Sequence, residues 1–162
     1  MTKGYMVTTK EMIDIAEKYI ANNNIDALVI SSTTGFTAYE YEKRGILNNV
    51  NCFICTQKLS EEIYMKEEVR NHFKNSGFNV IDIPHQYLTH KLGTKGVEIL
   101  RSFSQGTKVC IELIEFLLEK DYLIDKKNVL AIAGTGSGAD TILAFKLKSS
   151  KYKVCIIKLP IS

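Results

Sequence analysis

The segment Asn128-Val-Leu-Ala-Ile-Ala-Gly134-Thr-Gly-Ser-Gly138-Ala-Asp-Thr141 decides how this chain is read. It combines a short apolar run, a glycine-rich turn and residues that suit the first turn of a helix. A strand that enters a helix through glycines leaves several backbone N–H groups aimed at one spot. The positive end of the helix dipole adds to them, so the spot suits a phosphate or carboxylate. A related segment, Asp26-Ala-Leu-Val-Ile-Ser31-Ser-Thr-Thr-Gly35-Phe-Thr37, comes earlier and carries hydroxyls in place of most of the glycines.

Outward from these two segments, strands and helices are expected to alternate. Thr8 or Thr9 caps a first helix, in which Met12, Ile15, Ala16, Tyr19 and Ile20 share a face. Ala27 to Ser31 is an apolar run fit for a strand covered on both faces. A helix from Gly35 to Arg44 follows, then a strand from Asn51 to Thr56, a helix from Ser60 to Gly77, and a strand from Asn79 to Ile83 ended by Pro84. Two helices then run past an interruption at Gly93 to Gly96; the second, with Val109, Cys110, Leu113, Ile114 and Leu117, is apolar nearly all round. The fourth strand is Val129 to Ala133. The glycine turn leads into a helix reaching Lys148, and a fifth strand covers Lys153 to Leu159.

This alternation predicts a single α/β domain over residues 1–162 around a mostly parallel sheet. The connection between the third and fourth strands is much longer than the others, so the chain can cross the sheet and set strand four beside strand one. The predicted order is 3-2-1-4-5. Winding then reverses between strands one and four, and their carboxyl ends form the crevice where open α/β sheets bind ligands.

Composition narrows the function. A balance of 21 basic against 18 acidic residues gives no sign of a nucleic-acid partner. Lys146, Lys148, Lys151, Lys153 and Lys158 follow Asp140 without an intervening acid; a solvated helix face and an edge strand account for them better than an anion-attracting field. No apolar run is long enough to span a membrane and the N-terminus has no apolar h-region, so a cytoplasmic protein is expected. Cys52 and Cys55 form C-x-x-C within a strand, where positions three apart face opposite sides; they are expected to be buried thiols, not a redox pair.

The candidate ligand contacts are Ser31, Ser32, Thr33, Thr34, Gly35, Phe36 and Thr37 in the first loop, and Gly134, Thr135, Gly136, Ser137, Gly138, Ala139 and Thr141 in the second. For either loop alone, glycines that only shape a turn and a hydroxyl that only caps a helix explain the pattern equally well. Two such loops on adjacent strands favour a ligand. Gly134-x-Gly136-x-x-Ala139 matches a relaxed dinucleotide fingerprint, but the strand that follows ends in Lys158-Leu-Pro-Ile-Ser162 without the acid that would hold a ribose. A P-loop needs Lys-Ser/Thr after its last glycine, where Ala139-Asp140 stands. Asp140, placed at a helix start, and His85, in an irregular stretch with His90 and Lys91, are the candidates for an acid or base. No residue cluster has metal-ligand spacing.

Three segments carry a family resemblance: Gly106-Thr-Lys-Val-Cys-Ile-Glu112, Val129-Leu-Ala-Ile-Ala-Gly134-x-Gly-x-Gly138-Ala-Asp-Thr141, and Ser31-Ser-x-x-Gly35-x-Thr37-Ala38. Together they resemble stand-alone proteins related to the C-terminal domain of pyruvate kinase. The resemblance implies a three-layer α/β/α fold with a five-stranded sheet in the order 3-2-1-4-5 and an antiparallel last strand. In pyruvate kinase this domain is regulatory, and its Ser/Thr-rich loop after the first strand binds the phosphate of a sugar bisphosphate in some enzymes; Ser31 to Thr37 match that loop. The stand-alone group implies flavin mononucleotide (FMN) as the occupant of the crevice and a homo-oligomer as the assembly. The chain departs from the group at Thr56-Gln-Lys-Leu-Ser60 and around His85 to Leu92, where it is shorter. A pyruvate kinase activity is not expected, since the catalytic barrel alone takes about 250 residues. The sequence therefore predicts a binding domain for a small phosphorylated molecule, FMN or a sugar phosphate. The alternatives are an enzyme using the same crevice or a subunit acting by association.

Overall fold

A computed structural model describes residues 2–135 and 138–160, with side chains from Lys10 onward. The elements run α1 (Thr2–Asn22), β1 (Ala27–Ser31), α2 (Phe36–Lys43), a 3-10 turn (Ile46–Asn49), β2 (Asn51–Thr56), α3 (Glu67–Asn75), β3 (Asn79–Asp82), α4 (Tyr87–Phe103), α5 (Gln105–Glu119), β4 (Asn128–Thr135), β5 (Gly138–Lys148) and β6 (Lys151–Lys158). The strands form one sheet in the order β3-β2-β1-β4-β5-β6. β1 pairs in parallel with both β2 and β4, and β2 in parallel with β3. β4–β5 and β5–β6 are antiparallel.

Both faces of this sheet are covered, because its central strands carry unbroken apolar runs, Ala27 to Ile30 in β1 and Val129 to Ala133 in β4. In β1, Leu28 and Ile30 face a core built with Met12, Ile13 and Ala16 of α1, Ala38 and Tyr41 of α2 and Phe73 of α3. Ala27 and Val29 face the other core, with Cys110, Leu113, Ile114 and Leu117 of α5. The same alternation separates Cys52 from Cys55, which enter opposite cores as expected of positions three apart on a strand. β2 lies on the residues predicted for it. The α4–α5 crossover places β4 beside β1, and the helix interruption falls at Gly93, whose backbone is extended and left-handed (φ 75°, ψ 168°).

The main correction concerns the segment after the glycines. Residues 138–148 do not form a helix; they form β5, antiparallel to β4. Ile142 and Ala144 enter the α1-side core while Leu143 and Phe145 enter the α5-side core. A strand buried on both faces is a continuous apolar run, and such a run has no period that separates it from a buried helix. Gly134 and Gly138 therefore belong to an antiparallel strand pair. The sheet is mixed and six-stranded, not mostly parallel and five-stranded. The order 3-2-1-4-5 holds for its first five members and the fifth is antiparallel, but the segment expected as strand five is β6. Lys146 and Lys148 lie on β5, not on a helix face.

A second correction concerns α3, which begins at Glu67 and not at Ser60. The Ser60 hydroxyl oxygen accepts from the Glu62 and Ile63 amides at 3.2 and 3.0 Å, so it closes a local turn instead of opening a long helix. Met65, buried, anchors the segment between β2 and α3 to the core.

Candidate functional site

The carboxyl ends of β1 and β4 open into a cleft of about 420 Å³. The Ser/Thr loop leaves β1 there. It is pinned to the end of β2: the Ser32 amide donates to the Cys55 carbonyl at 2.9 Å, and the Thr56 hydroxyl donates to the Thr33 carbonyl at 2.7 Å. Ser32 then caps α2, its hydroxyl oxygen accepting from the Ala38 amide at 3.1 Å. Gly35 sits at the N-terminus of α2 with φ 100°, where a β-carbon would stand 2.6 Å from Val69 Cγ1. A left-handed backbone and a close neighbour together account for glycine at this position.

Ser31, Ser32, Thr33, Thr34, Phe36 and Thr37 line the cleft, and so do Gly134, Thr135, Gly138 and Ala139. Two segments about a hundred residues apart in sequence thus share one wall, as the winding argument requires. Gly136 and Ser137 lie outside the described residues. Gly35 does not line the cleft. Neither does Thr141, which is fully buried; its hydroxyl bonds to the Ser104 hydroxyl and to Asp140 Oδ1, each at 2.8 Å. Its role is to join α5 to the sheet.

The placement of Asp140 and His85 also differs from expectation. Asp140 is on β5 and not at the start of a helix of its own. Desolvation lifts its carboxyl above the usual range, and the Thr141 hydroxyl partly offsets this. His85 is exposed in the turn after β3. Neither residue lines the cleft.

A second helix end borders the cleft. Ser104 caps α5 by accepting from the Thr107 amide at 2.8 Å, and Gln105, Lys108, Val109, Glu112 and Leu113 of α5 line the cavity. Lys108 Nζ lies 3.0 Å from Glu112 Oε1, and the two residues are only 7% and 3% exposed. The second oxygen of Glu112 accepts from the Leu88 amide at 2.9 Å, which gives α4 the N-terminal cap that its own Gln86 side chain does not supply. This pair is not among the residues expected from the sequence to line the cleft. Its signal in the sequence is a Lys and a Glu four residues apart with the apolar Val109, Cys110 and Ile111 between them.

Part of the cleft lining is apolar. Ile83 follows β3, Leu59 and Ile63 come from the segment between β2 and α3, and Val109 and Leu113 from α5. Another hollow lies at the opposite rim, lined by Asn23, Asn24, Asp26 and Arg44 among others; Arg44 there is already paired with Asp14 and Glu17. Among the described residues no group of three His, Cys, Asp or Glu side chains is placed to hold a metal, and no helix is long and apolar enough to cross a membrane. No known family model matches the chain.

Proposed function

We propose that this protein binds a small phosphorylated molecule, FMN or a sugar phosphate, in the cleft at the carboxyl ends of β1 and β4. The observation that carries this reading is the shared wall formed by the Ser31–Thr37 loop and the edges of the β4–β5 hairpin. Hydroxyls from Thr33, Thr34 and Thr37 and the first turn of α2 are chemistry suited to phosphate oxygens. The resemblance to the pyruvate kinase C-terminal domain points to the same loop. The cleft's volume falls within the range of about 300–1,000 Å³ usual for small-molecule sites. Hydrogen bonds to a charged group contribute about 1.5–3 kcal/mol each, so a handful supports micromolar binding, near −8 kcal/mol, once the rest of the ligand is also held. Leu59, Ile63, Ile83, Val109 and Leu113 suit an apolar ring, so the donors and the apolar side chains of the lining together suit FMN.

With Asp140 and His85 outside the cleft, the acid–base chemistry considered for them has no support from their positions, and binding is the reading the geometry favours. Thermal unfolding with matched ligand pairs tests it: FMN against riboflavin, and ribose 5-phosphate against ribose. Stabilisation by a phosphorylated member and not by its dephosphorylated partner is the expected result. Equal stabilisation by both members, or none by any, contradicts it.

A further inference from the structure

Lys108 is placed against two local preferences of its helix. It lies in the first turns of α5, where the dipole disfavours a cation. Its acidic partner lies four residues towards the C-terminus, the weaker of the two orientations for such a pair. Both side chains are more than nine-tenths buried, and a buried ion pair gives little net stability compared with apolar residues of similar size. Violations of local rules concentrate at functional sites. Lys108 and Glu112 are also the only charged side chains among the described residues that line the cleft.

We propose that Lys108 is the cation that receives the anionic group of the ligand, with Glu112 as the residue that positions it; this rests on the binding reading given above. The ammonium carries three N–H donors, and Glu112 Oε1 accepts one at 3.0 Å. Glu112 is itself fixed, because its other oxygen holds the Leu88 amide at the start of α4. The ammonium is therefore held in one place at the edge of the cleft. Its two remaining N–H donors offer charge-assisted hydrogen bonds there, where the Ser/Thr loop and the hairpin supply only neutral donors. The ligand class that follows is a phosphate ester or other compact anion, seated between Lys108 and the Ser31–Thr37 loop.

The test uses inorganic phosphate as the probe, titrated against chloride at matched ionic strength and followed by amide chemical shifts. The variant is the double substitution Lys108→Met with Glu112→Gln. It removes both charges together, and the glutamine oxygen can still accept from Leu88. Wild type is expected to saturate with phosphate, and the folded double variant to bind about ten-fold or more weakly. Lys108→Arg is expected to retain saturable binding. Wild-type affinity in the double variant overturns the role of Lys108 and leaves the cleft reading standing. Failure of wild type to bind phosphate overturns both. Should the double variant not fold, the Hε–Cε signals of Lys108 in 13C-labelled wild type decide. A phosphate-dependent shift of these signals supports the assignment. Shifts in the Ser31–Thr37 amides without one at Lys108 overturn it.

Discussion

Gly134 packs against Gly138 so closely that a β-carbon on Gly134 would stand 1.9 Å from the Gly138 carbonyl oxygen and 2.7 Å from Ala139 Cα. The obstacle is backbone, so no side-chain rotation relieves it. The glycine at 134 is thus explained by strand-to-strand approach at a bulge, where the β4–β5 register shifts between Ala133 and Gly134. Gly134→Ala is expected to destabilise the protein by about 2–4 kcal/mol, read from the midpoint of urea unfolding. A loss below about 0.5 kcal/mol would contradict this account of the hairpin.

That glycine shows where sequence reading stopped. A glycine-rich corner followed by apolar residues has the same local composition whether a helix or a second strand comes next. The decision rests on burial of both faces of residues 142–145, which local pattern does not record. The helix after the first loop was legible because Gly45 ends a short amphipathic stretch and β2 begins a new apolar run. Asn51 to Thr56 was legible for the same reason, bounded as it is by polar residues. The meeting of the two loops was legible from topology alone, since a long crossover after β3 leaves β1's free edge for β4. Lys108 and Glu112 were not, because their significance depends on the cleft that α5 borders.

The Lys108–Glu112 pair makes a prediction about stability that is separate from ligand binding. Lys108→Met leaves the Glu112 carboxylate buried without its counter-charge and is expected to cost about 3–5 kcal/mol. Adding Glu112→Gln removes that stranded charge and should recover most of the loss. A double-mutant cycle by urea unfolding measures the coupling. Strictly additive losses would contradict the buried pairing.

Asp26 ties the start of β1 to β4. Its Oδ2 accepts from the Asn128 and Lys127 amides, each at 2.8 Å. These bonds, that from Asn128 foremost, hold its carboxyl below the value of 3.8 it has in an unstructured chain. Because the folded value is the lower one, the stabilisation is complete above the unfolded value and is lost as pH falls through the folded value. Asp26 is exposed, so Asp26→Ala is expected to cost only about 1 kcal/mol at neutral pH. The gap between variant and wild type should close as the solution is acidified below pH 3.8. A gap that widens in acid would contradict the assignment.

The four cysteines should divide into one fast and three slow thiols. Cys155 is exposed on β6, whereas Cys52, Cys55 and Cys110 are buried. Burial pushes the Cys52 thiol up to about 12 and raises the other two buried thiols as well. Since the thiolate is the reactive form, a thiol reagent at neutral pH should modify Cys155 promptly and the others only on unfolding. Rapid modification of Cys52 and Cys55 together would contradict their burial in opposite cores.

Amide chemical-shift mapping with FMN and with inorganic phosphate asks whether anions seat at the carboxyl ends of β1 and β4. Saturable shifts concentrated at Ser31 to Thr37, at Gln105 to Val109, and at Gly134, Thr135, Gly138 and Ala139 are the expected result. Shifts gathered instead at the opposite rim, around Asn23, Asn24 and Arg44, or no saturable shift with either compound, would contradict it.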